Sequence, residues 1–291
     1  MWDAVILGEG PAGISAALYL QRAGLKTVVI GMGIGALEKA EKIDNFYGFA
    51  EGISGEELHT VGTKQAKAVG AELVTDEVVG VDFDGVHFEL QGKSGNCYKG
   101  TTVLMATGTA RMSPRVENLK NLEGHGVSYC AMCDGFFYKG KAVAVMGEGD
   151  YALHEATELS HITESVTLLT NGKPPVFKVE DVAGIKIDER KLKKILGETT
   201  VEGVEFEDGE ILPVSGMFVA VGTASAIDFA RKIGIETNGN YIVVDEEMKT
   251  NVPGVYAAGD CTGGMLQVAK AIAEGAKAGT EMTKYIRLQK K

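Results

Sequence analysis

The chain has 291 residues, 45% of them hydrophobic, enough to build one large core or two of ordinary size. Its formal net charge of -11 argues against non-specific binding to nucleic acid or anionic membrane, while leaving room for a local basic patch that meets an acidic protein. Glycines number 39 and prolines 6, a ratio that suits tight strand-to-helix turns better than disorder. No secretion signal precedes the first strand pattern and no apolar run is long enough to span a membrane, so a cytoplasmic protein is expected. Four cysteines are too few for a disulfide scaffold in a chain of this length, and in a reducing compartment a close-spaced pair reads as catalytic or metal-binding.

Taken in order, Asp3-Ala4-Val5-Ile6-Leu7 is a buried strand that runs into Gly8-Glu9-Gly10-Pro11-Ala12-Gly13. A helix is expected from Ile14 to Ala23 with Gly24 as its stop, followed by a strand over Leu25 to Ile30. That strand-turn-helix-strand unit gives Gly8-x-Gly10-x-x-Gly13 the setting of a dinucleotide fingerprint. Gly8 permits the turn, Gly10 lets a pyrophosphate approach the backbone, and Gly13 lets helix and strand pack closely. The acidic residue expected about 20 residues on, for a ribose hydroxyl, is absent, because the next strand ends in Gly31-Met32-Gly33. The adenosine ribose must be held by some other group, backbone among the candidates.

Alternating patterns at Val78 to Phe83 and Val86 to Leu90 predict a small antiparallel sheet, and Val103 to Ala106 a further strand ending in Thr107-Gly108-Thr109. The segment Cys130-Ala131-Met132-Cys133-Asp134 comes next. Ala142 to Met146 followed by Gly147-Glu148-Gly149-Asp150-Tyr151-Ala152 then echoes the first fingerprint, with a helix expected over Ala152 to Ile162 and a strand over Ser165 to Leu169. Near the end, Gly254 to Ala258 is a strand leading into Gly259-Asp260, and a helix starts near Gln267-Val268-Ala269. Two such glycine-turn units indicate an α/β chain with two Rossmann-like nucleotide-binding domains.

Two thiols spaced as Cys130 and Cys133 can cycle between dithiol and disulfide, and local charge can turn one into a nucleophile. Zinc is the competing reading, but a structural site needs two more ligands, and Cys97 and Cys261 are isolated. Asp134 is placed to move protons to and from the thiolates, or is a solvated carboxylate. Asp260, at a strand end, can accept from a cofactor hydroxyl or merely cap a helix. The helix after Gln267 points its N-terminus where negative charge would be stabilised. The histidines at 59, 87, 125, 154 and 161 show no ligand spacing and no metal site is expected.

These motifs together resemble the low-molecular-weight thioredoxin reductases. The likeness covers nearly the whole chain, through Gly8 to Gly13, Asn45-Phe46 with Gly48, Ala106-Thr107-Gly108, Cys130 to Asp134, and Gly259-Asp260 with Gln267. It implies two three-layer (ββα/βαβ) domains: a discontinuous FAD domain over 1–111 and 243–291, and a central domain over 112–242 that carries the dithiol. It assigns to FAD the residues Gly8, Gly10, Pro11, Ala12, Gly13, Asn45, Thr107, Gly108, Gly259, Asp260, Gln267, Val268 and Ala269. Phe46 and Tyr47 are placed to stack on the flavin or simply to pack. By the same likeness Cys133 faces the flavin, Cys130 attacks the thioredoxin disulfide, Asp134 manages the protons, and the enzyme is a homodimer. A domain rotation is expected to bring the dithiol to thioredoxin, hinged near Ala110-Arg111 and Asn240-Tyr241.

The central fingerprint departs from the family. Glu148 puts a carboxylate beside the expected pyrophosphate, Tyr151 is bulky, and the strand after it ends in Thr170-Asn171-Gly172-Lys173-Pro174-Pro175 instead of an arginine cluster for a 2'-phosphate. That pattern is similar to the ferredoxin-dependent flavin thioredoxin reductases of anaerobic bacteria, which implies reduced ferredoxin as electron source. Lys191, Lys193 and Lys194, or Arg287, Lys290 and Lys291, are the candidate docking faces, each equally readable as a solvated surface. An NADPH-dependent thioredoxin reductase with an atypical nucleotide site, and a flavin-bound redox sensor without turnover, are the rival readings.

Overall fold

Apolar strands and glycine turns organise the computed structural model, which describes residues 1–108, 114–129, 131–177, 184–221, 229–230, 232–239 and 241–290. The chain folds as two units, Met1–Ala110 with Ser225–Lys291, and Arg111–Ala224. This division places 225–242 with the first unit, where the sequence reading put the return at 243.

The first unit begins with β1 (Trp2–Leu7), α1 (Pro11–Arg22), β2 (Thr27–Gly31), α2 (Gly55–Ala68), β3 (Glu72–Thr75), β4 (Val78–Phe83), β5 (Phe88–Gly92) and β6 (Cys97–Met105). Strands β3, β2, β1 and β6 pair in parallel, in that order, and β5 and β4 continue the sheet antiparallel beyond β6. Ala4, Val5 and Ile6 are fully buried, as expected of a parallel strand covered on both faces. Helix α1 starts earlier than Ile14 because Pro11 occupies its first turn, where the missing N–H costs nothing and the ring angle is already helical. Strand β5 starts later than Val86 because the Asp84 side chain accepts from the N–H groups of Val86 and His87 and holds them in a turn. Helix α2, which the sequence reading did not isolate, is capped by Ser54 and buries only Gly55 and Ala66.

The second unit contains β7 (Val127–Ser128), α3 (Ala131–Asp134), β8 (Ala142–Met146), α4 (Asp150–Ser160), β9 (Ser165–Leu169), β10 (Ile185–Asp188), β11 (Leu192–Leu196), β12 (Gly203–Phe206), β13 (Ile211–Leu212) and β14 (Gly216–Val219). A parallel sheet runs in the order β10-β9-β8-β14-β7, and β11-β12-β13 form a separate antiparallel sheet. Ala144, Met146, Leu169, Met217 and Val219 of the first sheet pack against Leu192, Ile195, Val204 and Phe206 of the second. These are the sheet layers expected of a Rossmann-like unit, with α4 following β8 as the helix of its glycine turn.

The chain then returns to the first unit with β15 (Thr237–Asn238), β16 (Tyr241–Ile242), β17 (Val255–Ala257) and α5 (Val268–Gln289). β17 pairs in parallel with the last residues of β6, so Leu7, Met105 and Ala257 lie side by side in register. Helix α5 lies against α1 because Gly275 and Gly279 carry no Cβ; one on Gly275 would sit 2.0 Å from the Ala12 carbonyl oxygen. Among the described residues no helix is long and apolar enough to cross a membrane.

Candidate functional site

Three segments named from the sequence leave the first unit's sheet together. Because Leu7, Met105 and Ala257 are in register, Gly8-to-Gly13, Ala106-Thr107-Gly108 and Ala258-Gly259-Asp260 emerge as neighbours at the carboxyl edge, where α/β sheets bind ligands. A Cβ on Gly8, whose φ is +110°, would lie 2.2 Å from the Ala106 carbonyl oxygen, and one on Gly13 would lie 1.9 Å from the Gly8 oxygen. Gly10 instead faces open space, with nothing within 4 Å of its Cβ position. No side chain caps the N-terminus of α1, whose first-turn N–H groups at Ala12 and Gly13 therefore point outward. A turn closed on its protein side and open above an uncapped helix fits a dinucleotide pyrophosphate.

Asn45 and Gln267, both assigned to FAD by resemblance, also meet: the Asn45 amide donates to Gln267 Oε1 at 2.9 Å. Gln267 stands at the N-cap of α5 without capping it, so the N–H groups at Val268 and Ala269 are also uncapped. Gly259 (φ +86°) packs against Ala12, and burial pushes the Asp260 carboxyl up, with Lys270 opposing and Glu274 reinforcing the shift. Tyr47 is 98% exposed, and Phe46 stacks on Phe49 with ring centroids 5.6 Å apart.

One support for this loop was missed in the sequence. Lys270 Nζ donates to the carbonyl oxygens of Gly259 (2.8 Å) and Gly263 (2.5 Å) and to Thr262 Oγ1 (2.9 Å), while Glu274 Oε2 accepts from Gly259 N–H at 2.8 Å. Lys270 and Glu274 are themselves paired at 3.1 Å, one helical turn apart. That spacing was the available signal.

The dithiol segment lies in the second unit. Cys130 and the Cys133 side chain lie outside what the structure describes, as do Ala110-Arg111, Asn240 and Lys291. Ser128, at the end of β7, donates its hydroxyl to Asp134 Oδ2 at 2.6 Å, which fixes the carboxylate assigned to proton transfer. Ala131, next in the chain after Cys130, donates its N–H to Glu155 Oε2 at 2.8 Å. Glu155 belongs to α4, is only 2% exposed, and was not anticipated. Burial, then the charge of Asp134, pushes the Tyr138 hydroxyl up. Phe136 and Phe137 are 72% and 71% exposed immediately beyond.

The second glycine turn differs from the first. Gly147 is required, since a Cβ there would lie 2.1 Å from the Ala220 carbonyl oxygen. Around it, however, the space is taken by the protein itself. Glu148 pairs with Lys173, and its carbonyl oxygen accepts from Val176 N–H at 2.8 Å, so the Lys173-Pro174-Pro175-Val176 segment folds back over the turn. Tyr151 is 1% exposed. The neighbouring cations are also engaged: Arg190 with Asp188 at 2.7 Å and Asp208 at 3.4 Å, and Lys191 with Glu207 at 2.6 Å.

Most described cations of the two candidate docking faces have a carboxylate beside them, but Lys193 and Lys194 share one and Arg287 reaches only a neutral carbonyl oxygen. Lys193 and Lys194 share Glu205 at 2.5 and 3.1 Å, Lys290 pairs with Asp3 at 2.7 Å, and Arg287 donates to the Ala23 carbonyl oxygen at 3.3 Å. No cluster of three or more potential metal ligands occurs among the described residues. Cys97 is exposed and Cys261 buried, its thiol pushed up to about 12 by burial.

The pyridine nucleotide-disulphide oxidoreductase family model matches residues 2–275. The thioredoxin reductase of Aquifex aeolicus is 35% identical, over 100% of this chain and 95% of its own. Among solved structures, the atypical thioredoxin reductase TRi from Desulfovibrio vulgaris Hildenborough is 41% identical with a TM-score of 0.95, covering 99% of both chains. A ferredoxin-flavin thioredoxin reductase from Clostridium acetobutylicum is 29% identical with a TM-score of 0.72, covering 100% of this chain and 99% of that one.

Proposed function

Since the chain belongs to the thioredoxin reductases of the pyridine nucleotide-disulphide oxidoreductase family, and so is an FAD-dependent disulfide reductase, we propose that its electrons come from reduced ferredoxin and not from NADPH. The observation that carries this reading is the second glycine turn, covered by the Glu148–Lys173 pair and the Val176 hydrogen bond. A pyrophosphate there would meet the Glu148 carboxylate, and a 2'-phosphate would find Lys173, Arg190 and Lys191 already paired with carboxylates. The likeness to a protein named ferredoxin-flavin thioredoxin reductase supports the same donor.

In this reading two reduced ferredoxins each give one electron, and with two protons the Cys130–Cys133 disulfide becomes a dithiol. Bound FAD supplies the link between a one-electron donor and a two-electron disulfide. The Cys130 thiolate attacks the thioredoxin disulfide, and Cys133 resolves the mixed disulfide, leaving reduced thioredoxin and a re-formed Cys130–Cys133 bond. Asp134, held by Ser128, gives and takes the protons at the thiols. The exposed Phe136–Phe137 pair supplies an apolar contact for thioredoxin beside the dithiol. The central domain carries the dithiol and the discontinuous domain the FAD. The enzyme works in the cytoplasm as a homodimer, which a solution mass measurement checks.

The matching family model, described as pyridine nucleotide-disulphide oxidoreductase, favours NADPH as the second reading. Anaerobic stopped-flow separates the two: reduced ferredoxin should bleach the bound flavin at least about 100-fold faster than NADPH at equal micromolar concentration. Fast bleaching by NADPH overturns the ferredoxin reading. Chemically reduced protein that transfers nothing to any thioredoxin disulfide would instead indicate a sensor.

A further inference from the structure

The first unit lacks the acidic residue that dinucleotide-binding folds commonly set at the end of the second strand to hold ribose hydroxyls. β2 ends at Gly31, with Met32 and Gly33 beyond. A carboxylate nevertheless reaches that place from another direction. Glu9, between Gly8 and Gly10, extends across the end of β2: a Cβ on Gly31 would lie 2.5 Å from Glu9 Cγ, so the glycine leaves the room this side chain fills. The Gly33 N–H donates to Glu9 Oε1 at 2.5 Å, which fixes the carboxylate's direction.

Its other oxygen is less committed. Glu9 Oε2 stands 3.8 Å from His59 Nε2, too far for a hydrogen bond, and that buried nitrogen has no hydrogen-bond partner among the described residues. The Glu9 side chain is 14% exposed, so its free oxygen retains access to a ligand. An ionised carboxylate accepts at two oxygens, and the Gly33 N–H uses one. If Glu9 served only to hold the Gly33 turn, Oε2 would be left with no hydrogen bond, only the distant His59 beside it.

We propose that Glu9 is the ribose-binding carboxylate of this chain, taking the adenosine hydroxyls of FAD on Oε2, with the buried His59 behind it. The proposal rests on the FAD reading and adds the group that fixes the adenosine half. It makes Glu9 and Gly31 a matched pair: the carboxylate moved from the strand end into the glycine turn, and the strand end lost its side chain to admit it.

The test titrates apoprotein with FAD, with FAD carrying a 2',3'-dideoxy adenosine ribose, and with FMN, following flavin fluorescence. Wild type should bind the dideoxy analogue about 10- to 100-fold more weakly than FAD, the scale of one or two hydrogen bonds to a charged group. Glu9→Gln should weaken FAD by a similar factor, add little to the loss already seen with the analogue, and leave FMN unchanged. Gly31→Ala should behave like Glu9→Gln. Equal affinity of wild type for FAD and the analogue overturns the proposal without any variant, as does a Glu9→Gln loss equally large for both. Wild type that takes up no FAD at all would sink the cofactor reading itself, a failure visible before any variant is made.

Discussion

The two glycine turns are built from the same sequence device and end in opposite states. At Gly8-to-Gly13 the backbone closes on Ala106 below while Gly10 faces open space and α1 stands uncapped. At Gly147-to-Ala152 the backbone closes on Ala220 in the same way, yet Glu148, Lys173 and Val176 occupy the space above. The glycines set the strand-to-helix turn in both cases. Whether a dinucleotide can enter is decided by the side chains between and beyond them, because a fixed turn geometry says nothing of what fills its concave side.

The contrast can be broken most severely at its open end. Gly13→Val puts a side chain where even a Cβ meets the Gly8 carbonyl oxygen at 1.9 Å. The variant should purify without flavin, its affinity lowered by about 1,000-fold or more, as several kcal/mol of clash require; a normal 450 nm absorbance would show that the turn is not the cofactor cradle. The reverse experiment opens the closed end. Glu148→Gly combined with Lys173→Arg removes the repulsive carboxylate and frees a guanidinium, and should improve NADPH binding about tenfold by fluorescence titration. An unchanged titration would mean that the Glu148–Lys173 pair is not what excludes the nucleotide.

A smaller effect distinguishes the second unit's own task from nucleotide binding. Glu155→Ala leaves the Ala131 N–H buried without its acceptor and should cost about 1–3 kcal/mol, read as a lower melting temperature with FAD content unchanged. Glu155→Gln should recover most of it. The smallest effect sits at Asp260. Burial raises its carboxyl above the ordinary 3.8. The protonated form is therefore favoured on folding, and this contribution is present below 3.8 and lost as pH rises through the raised value. Melting of the apoprotein across that interval should fall with pH more steeply than in Asp260→Asn, and parallel curves would remove Asp260 from the account.

Much of this was legible in the chain. Six of the parallel strands followed from apolar runs, and Gly8, Thr107-Gly108 and Gly259-Asp260 were each read as lying at a strand end. Boundaries moved where a local bond overrode the hydrophobic pattern, as Pro11 did for α1 and Asp84 for β5. Helix α2 and the sheet β11-β12-β13 escaped because they bury few residues or alternate weakly. The groups missed at the sites share one property: Glu9, Lys270, Glu274 and Glu155 are charged residues that read as solvated surface until the fold reveals what their oxygens and nitrogens touch. The carboxylates beside the basic clusters were missed for the complementary reason: Glu205, Glu207 and Asp3 come from other parts of the chain.

The register of β6 also fixes an order of events. Its neighbour β17 comes from residue 255 onward, and the glycine face of α5 that covers α1 comes later still. The second unit, 111–224, is contiguous and can fold as soon as it is made, whereas the first must hold an unpaired strand edge and an uncovered helix until residues 255–289 have emerged. The cofactor cradle is thus completed only after the second unit has been made, because residues from 255 onward supply one of its walls.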